Sequence, residues 1–308
     1  MSSNFYWTVY KNIEKELIDL SNLIHIDDKQ IEIYSVKIAE LLLRTAVEVE
    51  SISKTLYFQN GGTKPDDIDL FFDTDCIDLL ENIWLLSKKQ VYVSAPNFYF
   101  TLPDNQVLTP LKKANKRGSS SSDWQRAYQA IKHNRVTSLP KANLKHLIRA
   151  MAALYILNLY YKNNSYLLDK DSVGTNFDNT LGSSIFSVKL HINTSVSVGV
   201  VYSKKTDFDE CVYLLKPTDE TRDALQQKLI EINEKTTERT KANIVEQLTN
   251  QLQGIQATTQ EEISEKIKSI ADKIKTDNMI QVARENGQAI VKTIEGLKYE
   301  AILNIQQY

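Results

Sequence analysis

The chain is poor in the residues that break regular structure. Of its 308 residues, 9 are glycine and 6 are proline. Average usage would give roughly 37 of the two together. That scarcity argues against collagenous, disordered or many-turned β-sandwich chains and favours long helices. Only two cysteines are present, Cys76 and Cys211. They cannot make a disulfide framework, so a reducing compartment is expected. The four histidines, His25, His133, His146 and His191, are scattered, with no His-x3-His and no Cys-x2-Cys spacing. Neither a dedicated metal site nor a cofactor is expected. Charge of one sign is also lacking: 37 Lys+Arg stand against 39 Asp+Glu, a formal net charge of −2. A bulk-basic nucleic-acid binder is therefore excluded, and any RNA or DNA site must be a local patch. The longest apolar run, Ala150 to Tyr161, is bounded by Arg149 and Lys162. It falls short of the ~20 residues that a bilayer needs. Met1 to Trp7 carries no basic start of a targeting signal,. A cytoplasmic protein without a membrane partner is the expectation.

What is present is ordinary globular material, 42% hydrophobic and 25% charged, with a length that suggests about two units. Val9, Ile13, Leu17, Leu20 and Ile24 recur at helical spacing, which predicts a helix over residues 5–23. Asp27-Asp28 reads as the start of a second helix, Gln30 to Tyr57, with an apolar stripe of Ile38, Leu41, Leu42, Thr45, Val49, Ile52 and Leu56. Asn60-Gly61-Gly62 stops it. A third helix, 76–87, is expected to be capped by Asp73 or Asp75. Val91 to Val93, Asn97 to Leu102 and Val107-Leu108 then read as a β excursion within about 90–110. Lys112, Lys113, Lys116 and Arg117 follow, before Gly118 and four serines, as a basic, flexible loop,. Helices are predicted over 123–136 and 141–162, and strands over 184–192, 195–203 and 211–216, so that the second β region spans 184–216.

Composition changes at Pro217, after which there is no Trp, Phe or Cys. Ile263, Ile267, Ile270 and Ile274 step by 4-3-4, and Val245, Leu248, Leu252 and Ile255 by 3-4-3. Those are coiled-coil or hairpin seams, with interruptions expected at Gly254 and Gly287. The division that follows is 1–216 and a helical tail, 217–308, free to self-associate or to bind a protein partner.

The residues that best suit chemistry lie on the 123–136 helix, whose start is fixed by the capping box Ser122-Asp123-Trp124-Gln125,. Arg126 and His133 are seven residues apart, and seven steps of ~100° return to nearly the same azimuth. Gln129 and Ala130 lie between them on that face, while Trp124, Tyr128 and Ile131 anchor a neighbouring one. A histidine that exchanges protons near neutral pH beside a permanent cation suits phosphodiester cleavage. The imidazole moves the proton of a 2′-hydroxyl or of the leaving oxygen, and the guanidinium stabilises charge on the phosphate. The same spacing also fits a solvated surface pair.

This Arg-x6-His run resembles the short Arg-His motif of the HEPN superfamily. The phrase Ala127-Tyr128-Gln129-Ala130-Ile131-Lys132-His133-Asn134-Arg135 is similar to one found in bacterial HEPN-like proteins of abortive-infection and toxin–antitoxin loci. The helix carrying Glu48-Val49-Glu50 and Lys54, and the Ala-Leu-Tyr-rich helix 141–162, extend the likeness over about residues 5–165. The resemblance implies an antiparallel helical bundle that dimerises, with both Arg-His pairs facing one cleft. It also implies metal-independent RNA cleavage leaving a 2′,3′-cyclic phosphate, in anti-phage defence or a toxin system. Arg126 and His133 would be the motif residues. Active members commonly carry a polar residue where this chain has Ala127, and some relatives only bind nucleotides or partners. The fold class expected is thus mainly α with small β additions: a HEPN-like bundle plus a long helical tail. The function is a ribonuclease, or a non-catalytic interaction module.

Supporting positions follow. Glu40, Arg44, Glu48 and Ser51 form one stripe of the second helix, so Glu48 is a candidate to orient Arg126 or His133; Glu50 and Lys54 form a second i,i+4 pair. Arg135 is an RNA contact or an ion-pair partner. Lys112, Lys113, Lys116 and Arg117 are candidate phosphate contacts. A rival pattern is Gly61-Gly62 followed by Asp73-Thr74-Asp75, two carboxylates that would hold Mg²⁺ on one strand of a nucleotidyltransferase.

Overall fold

The computed structural model describes residues 4–65, 69–193, 207–252 and 259–305. The strand expected over 195–203, and Thr194, Asp66, Asp67, Gly254 and Ile255, lie outside them, as do the side chains of Leu248 and Leu252.

The chain is mainly α with small sheets. Helix α1 (Phe5–Ser21) starts at Asn4, whose side chain accepts the Trp7 N–H, and buries Tyr10, Ile13 and Leu17,. Glu14 is buried on the same face. It accepts hydrogen bonds from the Tyr10 and Ser183 hydroxyls and the Ser184 N–H, tying α1 to a distant loop.

Asp27 and Asp28 do not start a helix. Asp27 lies in β1 (Ile26–Asp27) and accepts the N–H groups of Lys29 and Gln30. Asp28 accepts from Thr101, Leu102 and Asn105 and so holds the segment around residue 100. The Asn105 amide and the Thr101 N–H keep its carboxyl down at about 2,. Helix α2 (Val36–Gln59) begins instead at Ser35, whose Oγ accepts the Ile38 N–H at 3.1 Å. Its buried face contains all seven residues of the predicted stripe. It ends where Gly61 takes φ +88°,.

A π-helical turn (Phe72–Ile77) leads into α3 (Asp78–Trp84), which the left-handed Leu85 ends early. Neither Asp73 nor Asp75 caps α3, which starts at Ile77 without a side-chain cap. Strand β2 (Val91–Val93) is flanked by β4 (Val107–Leu108) and β6 (Phe186–Val188), while β3 (Phe98–Tyr99) pairs parallel with β1. One turn, α4 (Pro103–Gln106), separates β3 from β4.

The helix predicted over 123–136 is two helices, α5 (Asp123–His133) and α6 (Arg135–Ser138). Asn134 divides them, and its side chain caps α6 by accepting the Thr137 N–H at 3.3 Å,. Helix α7 (Leu144–Lys162) starts at the capping Asn143 and is buried continuously from Ala150 to Tyr160. The strand predicted over 184–192 divides at Lys189 into β6 and β7 (Leu190–Ile192), which join different sheets.

The sheet that contains β7 also contains the largest departure from sequence. Its order is β5 (Tyr166–Asp169), β9 (Tyr299–Leu303), β8 (Tyr213–Pro217), β7. Strand β9 runs antiparallel to both neighbours. Pro217 therefore marks the base of a helical hairpin inserted between two adjacent strands, not the end of a first unit. The hairpin is α8 (Asp219–Leu252) and α9 (Gln260–Glu295). At its base the Thr218 N–H donates to the Lys298 carbonyl, and the Lys298 N–H to Thr221 Oγ1. Its seam also differs. Val245 is 70% exposed, and α9 runs through Gly287 without interruption. Leu225, Ile274 and Val282 are buried on the two helices, which are joined by an Asn243–Asn278 side-chain hydrogen bond and an Arg239–Glu285 ion pair. No helix among the described residues is long and apolar enough to cross a membrane.

Because β9 fills the gap between β5 and β8, a chain ended at residue 216 is expected to lose its cooperative thermal transition. Replacing residues 228–292 by a short Gly/Ser linker, which keeps β9, is expected to move the melting temperature by only a few degrees. Circular dichroism melts of both chains check this; a cooperatively melting 1–216 chain contradicts the inserted-hairpin topology.

Candidate functional site

Helix α5 is fastened by its apolar side and by two polar side chains. Trp124, Ala127, Tyr128 and Ile131 are buried. The Trp124 indole N–H donates to the Pro110 carbonyl at 2.9 Å, and the Gln125 amide donates to the Ala114 carbonyl at 3.0 Å. Gln125 Oε1 accepts the Ser122 N–H and hydroxyl at 3.0 and 2.7 Å, and the predicted capping box is present,. These bonds also fix the basic loop, which is less free than its composition suggests: Leu111 and Ala114 are buried beneath it. Lys112 and Lys113 stand out from it into solvent.

Arg126, Gln129 and His133 form the opposite, exposed face of α5, with Ala130 half-buried between them. Arg126 stands at the meeting of two clefts. One, of about 290 Å³, is lined by Lys112, Lys113, Ser122, Asp123, Arg126 and Arg149. The other, of about 460 Å³, is lined by Asp73, Arg117, Gly118, Gln125, Arg126 and Gln129. In the first, the four cations outnumber Asp104 and Asp123, which gives it a positive field,. Arg149 pairs with Asp123. Arg117 lies 3.6 Å from Asp73 and stacks over the Phe71 ring at 3.5 Å,.

Other predicted positions separate. Lys116, His133 and Arg135 line neither cleft. Arg135 belongs to α6, beyond the break at Asn134, and does not share a helix face with Tyr128. The Arg126 guanidinium donates to the Ser121 carbonyl, back toward the start of α5. His133 is the last residue of α5, about 10 Å further along the axis at 1.5 Å per residue.

Glu48 does not supply the α2 contact to α5. Its neighbour Arg44 binds Glu16, and burial raises the half-buried Glu48 carboxyl against the pull of Arg44. The carboxylate that meets α5 is Glu50, two residues and ~200° further round the helix. Glu50 takes a hydrogen bond from the Tyr128 hydroxyl and faces Lys132 and Lys54. Lys132 Nζ in turn sits 5.3 Å from the Tyr128 ring centre.

The rival carboxylate pattern is dispersed. Asp73 and Asp75 lie on the π-helical turn and not on a strand. Asp75 binds Lys64 at 2.7 Å and accepts the Phe71 N–H, while Asp73 faces Arg117. Gly61 and Gly62 close α2 and do not open a helix.

Sequence reasoning missed one further group. Among the described residues, one atom each of His191, Asp207 and Cys211 lie within 4.8 Å of one another. Twenty residues separate His191 from Cys211, so no spacing motif announces it. Burial, with the Asp207 charge, pushes the Cys211 thiol up to about 12, which makes it inert as a nucleophile.

Burial raises the Glu50 carboxyl above its ordinary 4.5, while Lys132, the Tyr128 hydroxyl and Lys54 pull it down. The folded state therefore keeps this proton at pH values where the unfolded chain has lost it. The stability it contributes is full below the ordinary value and is lost as pH rises through the raised one. Glu50→Gln is expected to flatten the fall in melting temperature over that window. A pH–melting profile identical to that of the parent chain contradicts the assignment.

Comparison with family models, with curated proteins and with solved structures finds no match for this chain.

Proposed function

We propose that the exposed face of α5 grips and cleaves RNA, as a metal-independent endoribonuclease of HEPN type that works as a homodimer. The observation that carries this reading is the position of Arg126 between two clefts, with Lys112, Lys113 and Arg149 on one side, Arg117 on the other, and His133 exposed on the same helix face. A phosphate in the first cleft would displace the Ser121 carbonyl from Arg126 and gain a charge-assisted pair in exchange,. The lysines add non-specific, salt-dependent attraction to the backbone. His133 supplies the proton transfer, first from a 2′-hydroxyl and then to the leaving oxygen. Arg126 and the lysines stabilise the negative charge that grows on the phosphate. Ala127 is buried, so the residue after the arginine takes no part. One Arg-His pair spread over two helical turns is a sparse site, and a two-fold dimer doubles it. The defence or toxin role rests on the sequence resemblance.

A second reading, a non-catalytic interaction module, is favoured by the hairpin. Leu229, Ile230, Met279, Ile280 and Val291 are exposed along α8 and α9, which suits self-assembly or capture of a protein partner.

Incubation with RNA in EDTA, below the melting temperature of the chelated protein, separates the two. The wild type is expected to cleave and leave a cyclic phosphate. His133→Ala is expected to lose on the order of 10²–10⁴-fold in rate with an unchanged thermal melt, because its side chain is exposed. Arg126→Lys should be costly too, since an ammonium lacks the planar two-donor grip. RNA left intact by the wild type, or cut equally well by His133→Ala, removes the catalytic reading and leaves the interaction module.

A further inference from the structure

We propose that His191, Asp207 and Cys211 form a binding site for one transition-metal ion of the Zn²⁺ class, which fastens β7 to the turn ahead of β8. The site lies outside α5 and stands independently of the RNA reading.

The trio is built by a turn and a strand. His191 is the middle residue of β7, which runs parallel to β8 in a register that sets His191 beside Leu214. Residues 207–211 form a tight turn before β8. The Glu210 N–H donates to the Asp207 carbonyl, and the Cys211 N–H to that of Phe208. The Cys211 thiol also reaches the Asp207 carbonyl at 3.0 Å. The turn thereby brings the Asp207 carboxylate and the Cys211 sulfur to one side, against His191. Zinc bonds of ~2.0–2.3 Å in a tetrahedron set ligand atoms roughly 3.3–3.8 Å apart. His191 Nδ1 and Asp207 Oδ1 are 3.1 Å apart, and all three donors fall within 4.8 Å. Closing these separations by up to about 1.5 Å brings the three donors to bonding geometry,.

The surroundings suit a metal as well as the donors do. His191 and Cys211 are both 0% exposed, so their positions are set by packing. The Asp207 side chain is 38% exposed, which gives the ion a way in and leaves a fourth position for water. The Phe208 ring meets the imidazole edge-on at 5.3 Å. The buried Asn304 amide donates to the carbonyls of Phe208 at 2.6 Å and Cys211 at 3.1 Å, clamping the turn from the end of β9,.

The donor set also selects the ion. One imidazole, one thiolate and one carboxylate are borderline ligands that suit Zn²⁺ and Co²⁺, whereas Mg²⁺ and Ca²⁺ require oxygen. A divalent ion against one thiolate and one carboxylate is neutral, which a half-buried site tolerates. A cysteine hydrolase would need access to sulfur and ring, and both are closed to solvent.

The full chain, purified without a polyhistidine tag, is stripped with chelator, kept reduced and titrated with Co²⁺. One equivalent is expected to bind and to produce a thiolate-to-cobalt charge-transfer band. Zn²⁺ should bleach that band and raise the melting temperature; Mg²⁺ should do neither. Cys211→Ser and His191→Ala remove ligands but also alter the interior. Asp207→Asn keeps the shape of a part-exposed side chain and is therefore the deciding variant: its Co²⁺ affinity is expected to fall at least tenfold while its metal-free melt stays near that of the parent. A cobalt spectrum without a thiolate band, or equal affinity in Asp207→Asn and the parent, overturns the site and leaves a plain hydrogen-bonded His-Asp pair.

Discussion

The body of the protein is organised by the need to cover α7 on every side. A helix that is apolar all round has no solvent face, so other elements must surround it. Helices α1, α2 and α5 pack against it. Its aromatic groups reach further: Tyr155 packs with Tyr10 and Phe186, and Tyr160 stacks on Trp84. Two of the hydroxyls that this burial carries inside find partners in distant segments. The Tyr155 hydroxyl donates to the Thr180 carbonyl and the Tyr160 hydroxyl to that of Asn304, each at 2.8 Å. Those two bonds link the central helix to the loop before β6 and to the end of β9. The position of α5, and with it the exposed face of Arg126 and His133, follows from its packing on this centre.

The features legible in the sequence are those that repeat along one helix. The α2 stripe from Ile38 to Leu56 is buried as its spacing requires, and the apolar anchors of α5 were readable from the same period. What was not legible depends on pairing between distant segments. Tyr299 to Leu303 is a five-residue strand at the end of a polar, helical stretch, and nothing local indicates that β5 and β8 await it. Asp27-Asp28 looks like a helix start, because aspartate serves caps and loops through the same hydrogen bonds. Here the loop around residue 100 takes Asp28, and Ser35 takes the cap.

The same distinction runs through the candidate site. Periodicity put Arg126 and His133 on one face, and they share it. It did not give the direction of the Arg126 side chain, which turns toward Ser121 and into the company of Lys112, Lys113 and Arg149. The choice of Glu48 over Glu50 failed by about 200° of helix rotation, a difference that only the packing of α2 against α5 fixes. The grouping of His191, Asp207 and Cys211 depends on the register of β7 beside β8, and a search for local metal motifs passes over it.

The return of β9 also has a consequence in time. On the ribosome the chain emerges from its N-terminus, so the segments that form α5, its cleft and both edges that will receive β9 are made long before residues 299–303. Until then β5 and β8 have no common neighbour, and the Asn304 and Tyr160 contacts that join the last strand to α7 are absent. Pairing across so long a stretch of chain is slow, because loop closure precedes the contacts that reward it. The nascent protein is thus a body without the strand that joins β5 to β8, and the arrival of residues 299–303 is the event that closes the sheet.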